Sequence, residues 1–316
     1  MKIVRTPVRF ALPLFVVSPL WLVPLWAFLQ SGDFKISTNV DLVLLDISVK
    51  EAKGGYVSNL TGDRFKIEEN GIPQKIVSFV NMDAPVAAGL ILDASGSMRT
   101  KRDDVNIAGL TFIDASNPQD QIFLMDFNDK VMPGLPDDVP FTDNIDLLRV
   151  ALTKHRPEGK TVLYDAIEAG LQHLTLAQRD KRTLIVVSDG GDNASRHTLA
   201  QLMRAIEDSQ ATIYTVGIAD PEDPDRNPGV LQRIAGVSGG ESFQLDRYED
   251  IIPTLKKIAV DIRHRYTIGY VPDRGNTKIG LRKIHVTASA PDHGRLIAHT
   301  RASYTDPRSQ EGSRGQ

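Results

Sequence analysis

Oxygen-bearing side chains recur at the ends of predicted strands and at the start of one predicted helix. The stretch LILDASGSMRT, residues 90–100, ends an apolar run with an aspartate followed by two serines at spacing two. The stretch SDGGDN follows a second apolar run, and GKTVLYDAI places a threonine at the start of a helical pattern. The candidate metal ligands are Asp93, Ser95, Ser97, Thr161 and Asp189.

These candidate ligands are hard oxygen donors, with no histidine or cysteine among them. Hard oxygen sets suit octahedral Mg²⁺ or Mn²⁺. Because few of the donors are carboxylates and several are neutral hydroxyls, such an ion stays electrophilic and incompletely satisfied. We expect an anionic group from outside the chain to fill its open coordination position.

The same residues have simpler interpretations. Asp93 could cap a helix while the serines form a turn, and Asp189 could be a turn residue before two glycines. Ser95 paired with His197 could form a nucleophile and its base. Against that pair, the sequence has no Gly-x-Ser-x-Gly elbow, and it has no phosphate-binding P-loop.

Two further groups of acidic residues are predicted to lie in loops. Asp126 and Asp129 follow the second buried strand near the same edge, where they are predicted to be loop carboxylates, with contact to the rim of the site as the alternative. Residues 219–229, ADPEDPDRNPG, carry four acids among three prolines and are predicted to form a solvated surface loop.

The elements that must position the site are strands alternating with helices. Near-continuous Ile/Leu/Val runs over residues 86–261 alternate with amphipathic patterns. This order predicts an α/β fold with a doubly wound, mostly parallel sheet and helices on both faces. In such a sheet, ligands bind at the carboxyl ends of the strands, where the candidate ligands fall. The predicted helices cover about 102–116, 143–154, 162–176, 197–209, 230–236 and 247–262.

Shorter strand-like segments flank this α/β segment. Residues 33–83 and 262–305 alternate apolar and polar residues, and Asn70-Gly71 predicts a hairpin turn. Each part is too short to bury a core alone, so we expect one small all-β domain split by the α/β domain at 84–261. Two independent β segments are the alternative. Residues 306–316 are polar and predicted to be disordered.

The N-terminal segment, residues 1–32, predicts export. Lys2, Arg5 and Arg9 precede an uncharged apolar stretch that runs from Phe10 to Gly32. A basic flank before such a stretch is typical of a membrane anchor or a signal peptide. A retained anchor is favoured over a cleaved signal, since no clear small-x-small cleavage site follows. The remainder is then expected in the cell envelope, on the periplasmic or extracellular side.

Charge and cysteine content exclude other classes of site. The formal net charge is −3 and the sequence pI about 6.2, which argues against non-specific nucleic-acid binding. The chain has no cysteine, so disulfides, thiolate metal sites and cysteine nucleophiles are excluded.

The five candidate ligands together resemble the metal-ion-dependent adhesion site of von Willebrand factor type A domains. DASGSM, the threonine of GKTVLYDAI and the aspartate of SDG follow the family order D-x-S-x-S, threonine, aspartate, over about residues 86–261. The resemblance implies that Ser95 and Ser97 ligate the ion directly and Asp93 partly through water. Thr161 and Asp189 complete the set, directly or through water, and an acidic residue of a partner fills the open position.

The flanking segments resemble a bacterial branch of von Willebrand factor A-related proteins typical of Acidobacteria. GDRFKIEENGIPQKIVSF and HRYTIGYVP carry this likeness. One departure is Lys160, which precedes Thr161 where the family often has a glycine; its side chain is expected to face solvent. In family members that switch, partner binding shifts the last helix, here predicted over residues 247–262.

The sequence therefore predicts an exported, metal-dependent protein-binding module that is not an enzyme. Its partner would be a protein that presents an Asp or Glu carboxylate, and its N-terminal segment would contact the membrane. A metal-dependent hydrolase or phosphotransferase is the alternative, although no convincing general base lies near the predicted ion. A structural module with a vestigial site is the third reading.

Overall fold

The computed structural model describes residues 42–81, 83–218, 227–273 and 280–306. The described residues form one compact unit. The predicted anchor at 1–32, all but the first residue of the predicted tail at 306–316 and most of the predicted acidic loop at 219–229 lie outside the described residues. Within the described ranges, no helix is both long enough and apolar enough to cross a bilayer.

Strands and helices account for most of the described chain. The strands are β1 (Val43–Glu51), β2 (Phe65–Glu69), β3 (Ile72–Gln74), β4 (Ile76–Val80), β5 (Val86–Asp93), β6 (Gln121–Phe127), β7 (Val131–Pro133), β8 (Lys181–Ser188), β9 (Thr212–Ile218), β10 (Ser242–Leu245), β11 (Tyr266–Tyr270), β12 (Leu281–Ala288), β13 (Leu296–His299) and β14 (Ser303–Thr305). The α-helices are α1 (Arg102–Ala115), α2 (Ile145–Leu152), α3 (Leu163–Leu174), α4 (Leu199–Asp208), α5 (Pro228–Ser238) and α6 (Ile251–Arg263).

The predicted mostly parallel sheet is confirmed. Its strand order is β10-β9-β8-β5-β6-β7, and only β7 runs antiparallel to its neighbour. Every residue of β5 is buried, so both faces of the sheet are covered at its centre. Helix α3 packs against β5 and β8, α5 packs against β9, and α1 packs against α6.

The switch in strand order falls at β5, which pairs with β6 on one side and β8 on the other. The register places Leu92 opposite both Asp126 and Val187. The carboxyl ends of these three strands therefore meet at one edge, the position where open α/β sheets bind ligands.

Two antiparallel sheets combine strands from both sides of the α/β segment. Their orders are β13-β1-β11-β4 and β14-β12-β2-β3. Leu45 pairs with Ile268 and Ile67 pairs with Val286, and all four side chains belong to one buried apolar cluster. Strands from the two ends of the sequence thus share a core, while the domain bounds at 33–83, 84–261 and 262–305 stay predictions.

The hairpin between β2 and β3 forms where the sequence predicts it. Asn70 has φ 51° and Gly71 has φ 80°, so both central residues of the turn are left-handed. This conformation suits Asn-Gly, since glycine lacks a Cβ and asparagine tolerates the left-handed region. Glu69 pairs with Ile72 across the turn, which fixes the register of the hairpin.

Candidate metal centre

Asp93 ends β5 and is fully buried. Its Oδ1 accepts a hydrogen bond from the backbone N–H of Ser95 at 2.8 Å, and its Oδ2 accepts one from Ser188 Oγ at 2.6 Å. The pairing of Leu92 with Val187 explains the second bond, because it sets the last residues of β5 and β8 side by side. The two strands and the following turn therefore fix the carboxylate of Asp93.

The two serines lie on a tight turn that connects β5 to α1. A short 3₁₀ turn, Gly96–Met98, brings Ser95 Oγ and Ser97 Oγ to 3.1 Å from each other. Ser97 Oγ donates a hydrogen bond of 2.7 Å to Oδ2 of Asp189, whose Oδ1 accepts one from Gly191 N at 3.2 Å. Four of the five predicted ligands are thus joined by successive contacts between the ends of β5 and β8.

The fifth predicted ligand, Thr161, is buried one residue before the N-cap of α3. Its backbone N–H donates to Asn193 Oδ1 at 3.0 Å, and its carbonyl accepts from the N–H groups of Asn193 and Ala194, both at 3.1 Å. Two residues earlier, the Gly159 carbonyl accepts a hydrogen bond of 3.2 Å from Gly96 N. These bonds hold the Thr161 loop against the serine turn and the loop after β8.

Glycine is required at position 159 by two features of this loop. Gly159 has φ +79°, and a Cβ there would lie 2.1 Å from Oδ2 of Asp129. The other oxygen of that carboxylate, Oδ1, accepts a hydrogen bond of 3.1 Å from Lys160 N. Lys160 itself is exposed, as the sequence predicts.

The electrostatics of the centre favour a cation. Burial raises the pKa of Asp93 to about 7. The charge of Asp189 also raises this pKa, whereas the hydrogen bonds from Ser188 and Ser95 lower it. The hydrogen bonds described for the two carboxylates come from Ser95 N, Ser188 Oγ, Ser97 Oγ and Gly191 N. Two buried carboxylates with neutral hydroxyls between them fit a hard divalent cation, whose charge would remove this repulsion.

The prediction that Asp126 is a loop carboxylate is wrong. Asp126 lies inside β6 and is fully buried, because the pairing of β6 with β5 continues to Phe127. Its Oδ1 accepts a hydrogen bond of 2.8 Å from Arg102 Nη2, and its Oδ2 lies 2.9 Å from His155 Nδ1. This ion pair stabilises the buried charge. Asp129, by contrast, is exposed in the turn after β6.

The structure does not bring His197 to Ser95. His197 Nδ1 lies 2.8 Å from Asp165 Oδ1 and 3.2 Å from Glu168 Oε2, both on α3. The side-chain contacts described for Ser95 are those with Ser97 and with the carboxylate of Asp93. The nucleophile-and-base interpretation of Ser95 therefore has no support in the geometry.

Sequence reasoning missed the residues that position the candidate ligands. Ser188 fixes Asp93, and Asn193 fixes the backbone of Thr161. Asp192 accepts hydrogen bonds from Ser195 Oγ at 2.5 Å and from Tyr164 N at 3.3 Å, which ties the loop after β8 to the first turn of α3. The only sequence signal for Ser188 and Asn193 is that they lie close to a candidate ligand. Ser188 directly precedes Asp189, and Asn193 is the last residue of SDGGDN.

Comparison with known proteins identifies the fold. Residues 89–191 match the family model of the von Willebrand factor type A domain. This chain contains a von Willebrand factor type A domain. The matched range begins in β5 and ends just after Asp189, so it includes all five candidate ligands. Their role as ligands and the likeness of the flanks to the Acidobacteria-type branch stay predictions.

Solved structures match this chain at low sequence identity. A von Willebrand factor type A protein from Catenulispora acidiphila is 14% identical, with 86% of this chain and 76% of that chain covered and a TM-score of 0.52. The conserved hypothetical protein BatB from Bacteroides thetaiotaomicron is 18% identical, with 56% of this chain and 97% of that chain covered and a TM-score of 0.46. No curated protein sequence matches this chain. At such identity, the Catenulispora likeness shows the fold alone.

Proposed function

We propose that this chain is an exported protein-interaction module whose von Willebrand factor type A domain holds Mg²⁺ or Mn²⁺ and uses the ion to bind a partner's carboxylate. One observation carries the proposal. The contacts Asp93–Ser95–Ser97–Asp189 join two buried carboxylates through the backbone N–H of Ser95 and the hydroxyls of Ser95 and Ser97, at the edge where β5 and β8 end. Without a cation, this arrangement holds two like charges in a buried site.

Two of the candidate ligands are charged and three are neutral. Asp93 and Asp189 supply the negative charge that retains a divalent cation, and the hydroxyls of Ser95, Ser97 and Thr161 supply neutral oxygens. When bound, the ion supplies a fixed positive charge at the mouth of the site. Because the hydroxyls add no charge, the ion retains affinity for one further anionic oxygen. Ser188 and Asn193 keep the ligand-bearing segments in place.

Interaction is favoured over hydrolysis because the two histidines nearest in sequence to the candidate ligands are paired elsewhere. His155 Nδ1 lies 2.9 Å from Asp126 Oδ2, and His197 pairs with Asp165 and Glu168. A general base must reach the proton it abstracts, directly or through one water. Export is supported by the basic flank and the uncharged stretch from Phe10 to Gly32.

Mg²⁺-dependent binding of a carboxylate tests the proposal. Two labelled peptides of equal length, identical except for one Asp or one Asn, are titrated with the full chain in detergent and followed by fluorescence anisotropy. With Mg²⁺ we expect the Asp peptide to bind about tenfold more tightly, and with a chelator we expect no difference. Equal binding of the two peptides in Mg²⁺ would exclude recognition of a carboxylate by the ion. Thr161→Val, which replaces the hydroxyl with a methyl group, should reduce the preference for Asp.

The affinity for Mg²⁺ should also depend on pH. Asp93 must be ionised to ligate, and its pKa of about 7 is far above the ordinary 3.8. Mg²⁺ is therefore expected to bind about tenfold more weakly at pH 6 than at pH 8. Because the folded-state pKa is raised, this carboxyl makes the metal-free chain less stable as the pH rises towards and through 7, and Mg²⁺ should restore stability most at pH 8. Calorimetric titration and thermal unfolding at both pH values measure these effects, and Asp93→Asn should remove the pH step.

A further inference from the structure

We infer that the partner binds through an acidic segment, with one carboxylate at the ion and a second one between Lys130 and Arg196. The inference rests on the proposed function and adds the chemistry of the partner. It comes from the charged side chains on the four loops that surround the candidate metal centre, residues 94–101, 128–130, 155–162 and 189–197. We call these segments the rim loops.

The rim loops carry an excess of exposed positive charge that the protein leaves uncompensated. Within the described residues, the exposed carboxylates of these loops are Asp129 and Glu158, whereas five exposed cationic side chains occur on them. None of the five cationic head groups makes an ion pair or a hydrogen bond in the described structure. The whole chain has a formal charge of −3, so the excess is local. The five residues are Arg99, Lys130, Arg156, Lys160 and Arg196.

Two of these cations line a cleft that begins beside the candidate metal centre. Lys130 and Arg196 border the cleft together with Val162, the residue after Thr161. Val162 N donates a hydrogen bond of 3.0 Å to the Asn128 carbonyl, and Asn128 Oδ1 accepts one of 3.3 Å from Lys130 N. The backbone therefore holds the lysine turn directly against the threonine loop. A chain segment that reaches the ion can continue into this cleft.

The carboxylates of the cleft are already engaged inside the protein. Asp165 accepts hydrogen bonds from the backbone N–H groups of Arg196 and His197, and it also pairs with the imidazole. Glu168 pairs with the same imidazole at 3.2 Å, and Asp129 accepts a bond from Lys160 N. Asp129, Asp165 and Glu168 also line this cleft, and within the described residues the head groups of Lys130 and Arg196 pair with none of them. The positive charge that favours an acidic segment over a neutral one is therefore that of the rim loops, which carry five exposed cations and two exposed carboxylates.

The test compares labelled peptides of equal length in Gly/Ser sequence, one with a single Asp and one with that Asp followed by two more. In Mg²⁺ the full chain in detergent should bind the three-acid peptide about tenfold more tightly than the one-acid peptide. Combined Lys130→Gln and Arg196→Gln should bring the two affinities within about twofold of each other. The matched control is Lys66→Gln with Lys283→Gln, which removes the same charge from exposed positions on β2 and β12 and should keep the tenfold ratio.

The outcomes separate this inference from the proposed function. One outcome is that Asp93→Ala no longer binds either peptide, while the Lys130/Arg196 variant still binds the three-acid peptide about tenfold more tightly than the one-acid peptide. The acidic-segment inference is then overturned and the metal-dependent function stands. If the three-acid peptide binds equally without Mg²⁺ but needs Lys130 and Arg196, the cleft inference stands and the metal-dependent function fails. Equal affinity of the wild type for the two peptides, or no binding up to about 10 mM, overturns the inference outright.

Discussion

Replacing Asp93 with alanine is expected to weaken Mg²⁺ binding at least about 100-fold, a loss of roughly 3 kcal/mol in binding free energy. The carboxylate is fully buried and held by Ser95 N and Ser188 Oγ, so the substitution removes a negative charge that the fold fixes in the site. A cation in the site then retains only Asp189 as a charged ligand. Calorimetric titration of Mg²⁺ into the full chain measures the loss.

The same substitution should leave the metal-free protein folded. At pH 8 the wild-type site holds two buried carboxylates that repel each other, and Asp93→Ala removes one of them. We therefore expect the metal-free variant to unfold at a temperature no lower than that of the metal-free wild type. The matched control is Asp137→Asn, because this carboxylate is exposed in the segment between β7 and α2 and is not a predicted ligand. It should keep Mg²⁺ affinity within about threefold. Unchanged affinity in Asp93→Ala would refute the metal centre.

The parallel sheet and its helices could be predicted because each central strand is a continuous apolar run buried on both faces. β7 was not predicted, since Val131–Pro133 has only three residues and offers no periodicity. The convergence of Asp93 and Asp189 could also be predicted, because both end neighbouring parallel strands. The positioning role of Ser188 could not, since it depends on the register that sets Leu92 opposite Val187.

Buried charges were the least predictable part of the fold. Asp126 lies in a strand because β6 pairs with β5 as far as Phe127, and its buried charge is paired with Arg102 at the start of α1. No local sequence pattern connects Asp126 with Arg102. In β12, alternation puts Arg282 on the same side as the buried Ile284 and Val286. A cation at a core-facing position signals a buried partner, but the sequence does not say which one.

Replacing Arg282 with methionine is expected to cost about 3–5 kcal/mol of folding free energy. Arg282 is 1% exposed, and it donates to Glu69 Oε1 at 3.0 Å and to Asp306 Oδ2 at 2.6 Å. The hydroxyls of Tyr270 and Tyr304 donate to the other oxygen of Glu69, both at 2.8 Å. Methionine would fill much of the volume but leave two buried carboxylates without their cation. Urea unfolding of wild type and variant measures the difference.

A matched substitution at an exposed position separates the loss of the buried ion pair from the loss of a surface charge. Lys283→Met, at the exposed neighbouring position, should change stability by no more than about 0.5 kcal/mol. Because no candidate ligand lies on β2 or β12, folded Arg282→Met should still bind Mg²⁺ within about threefold of the wild type, and a larger loss would show that the antiparallel sheets help to position the metal centre.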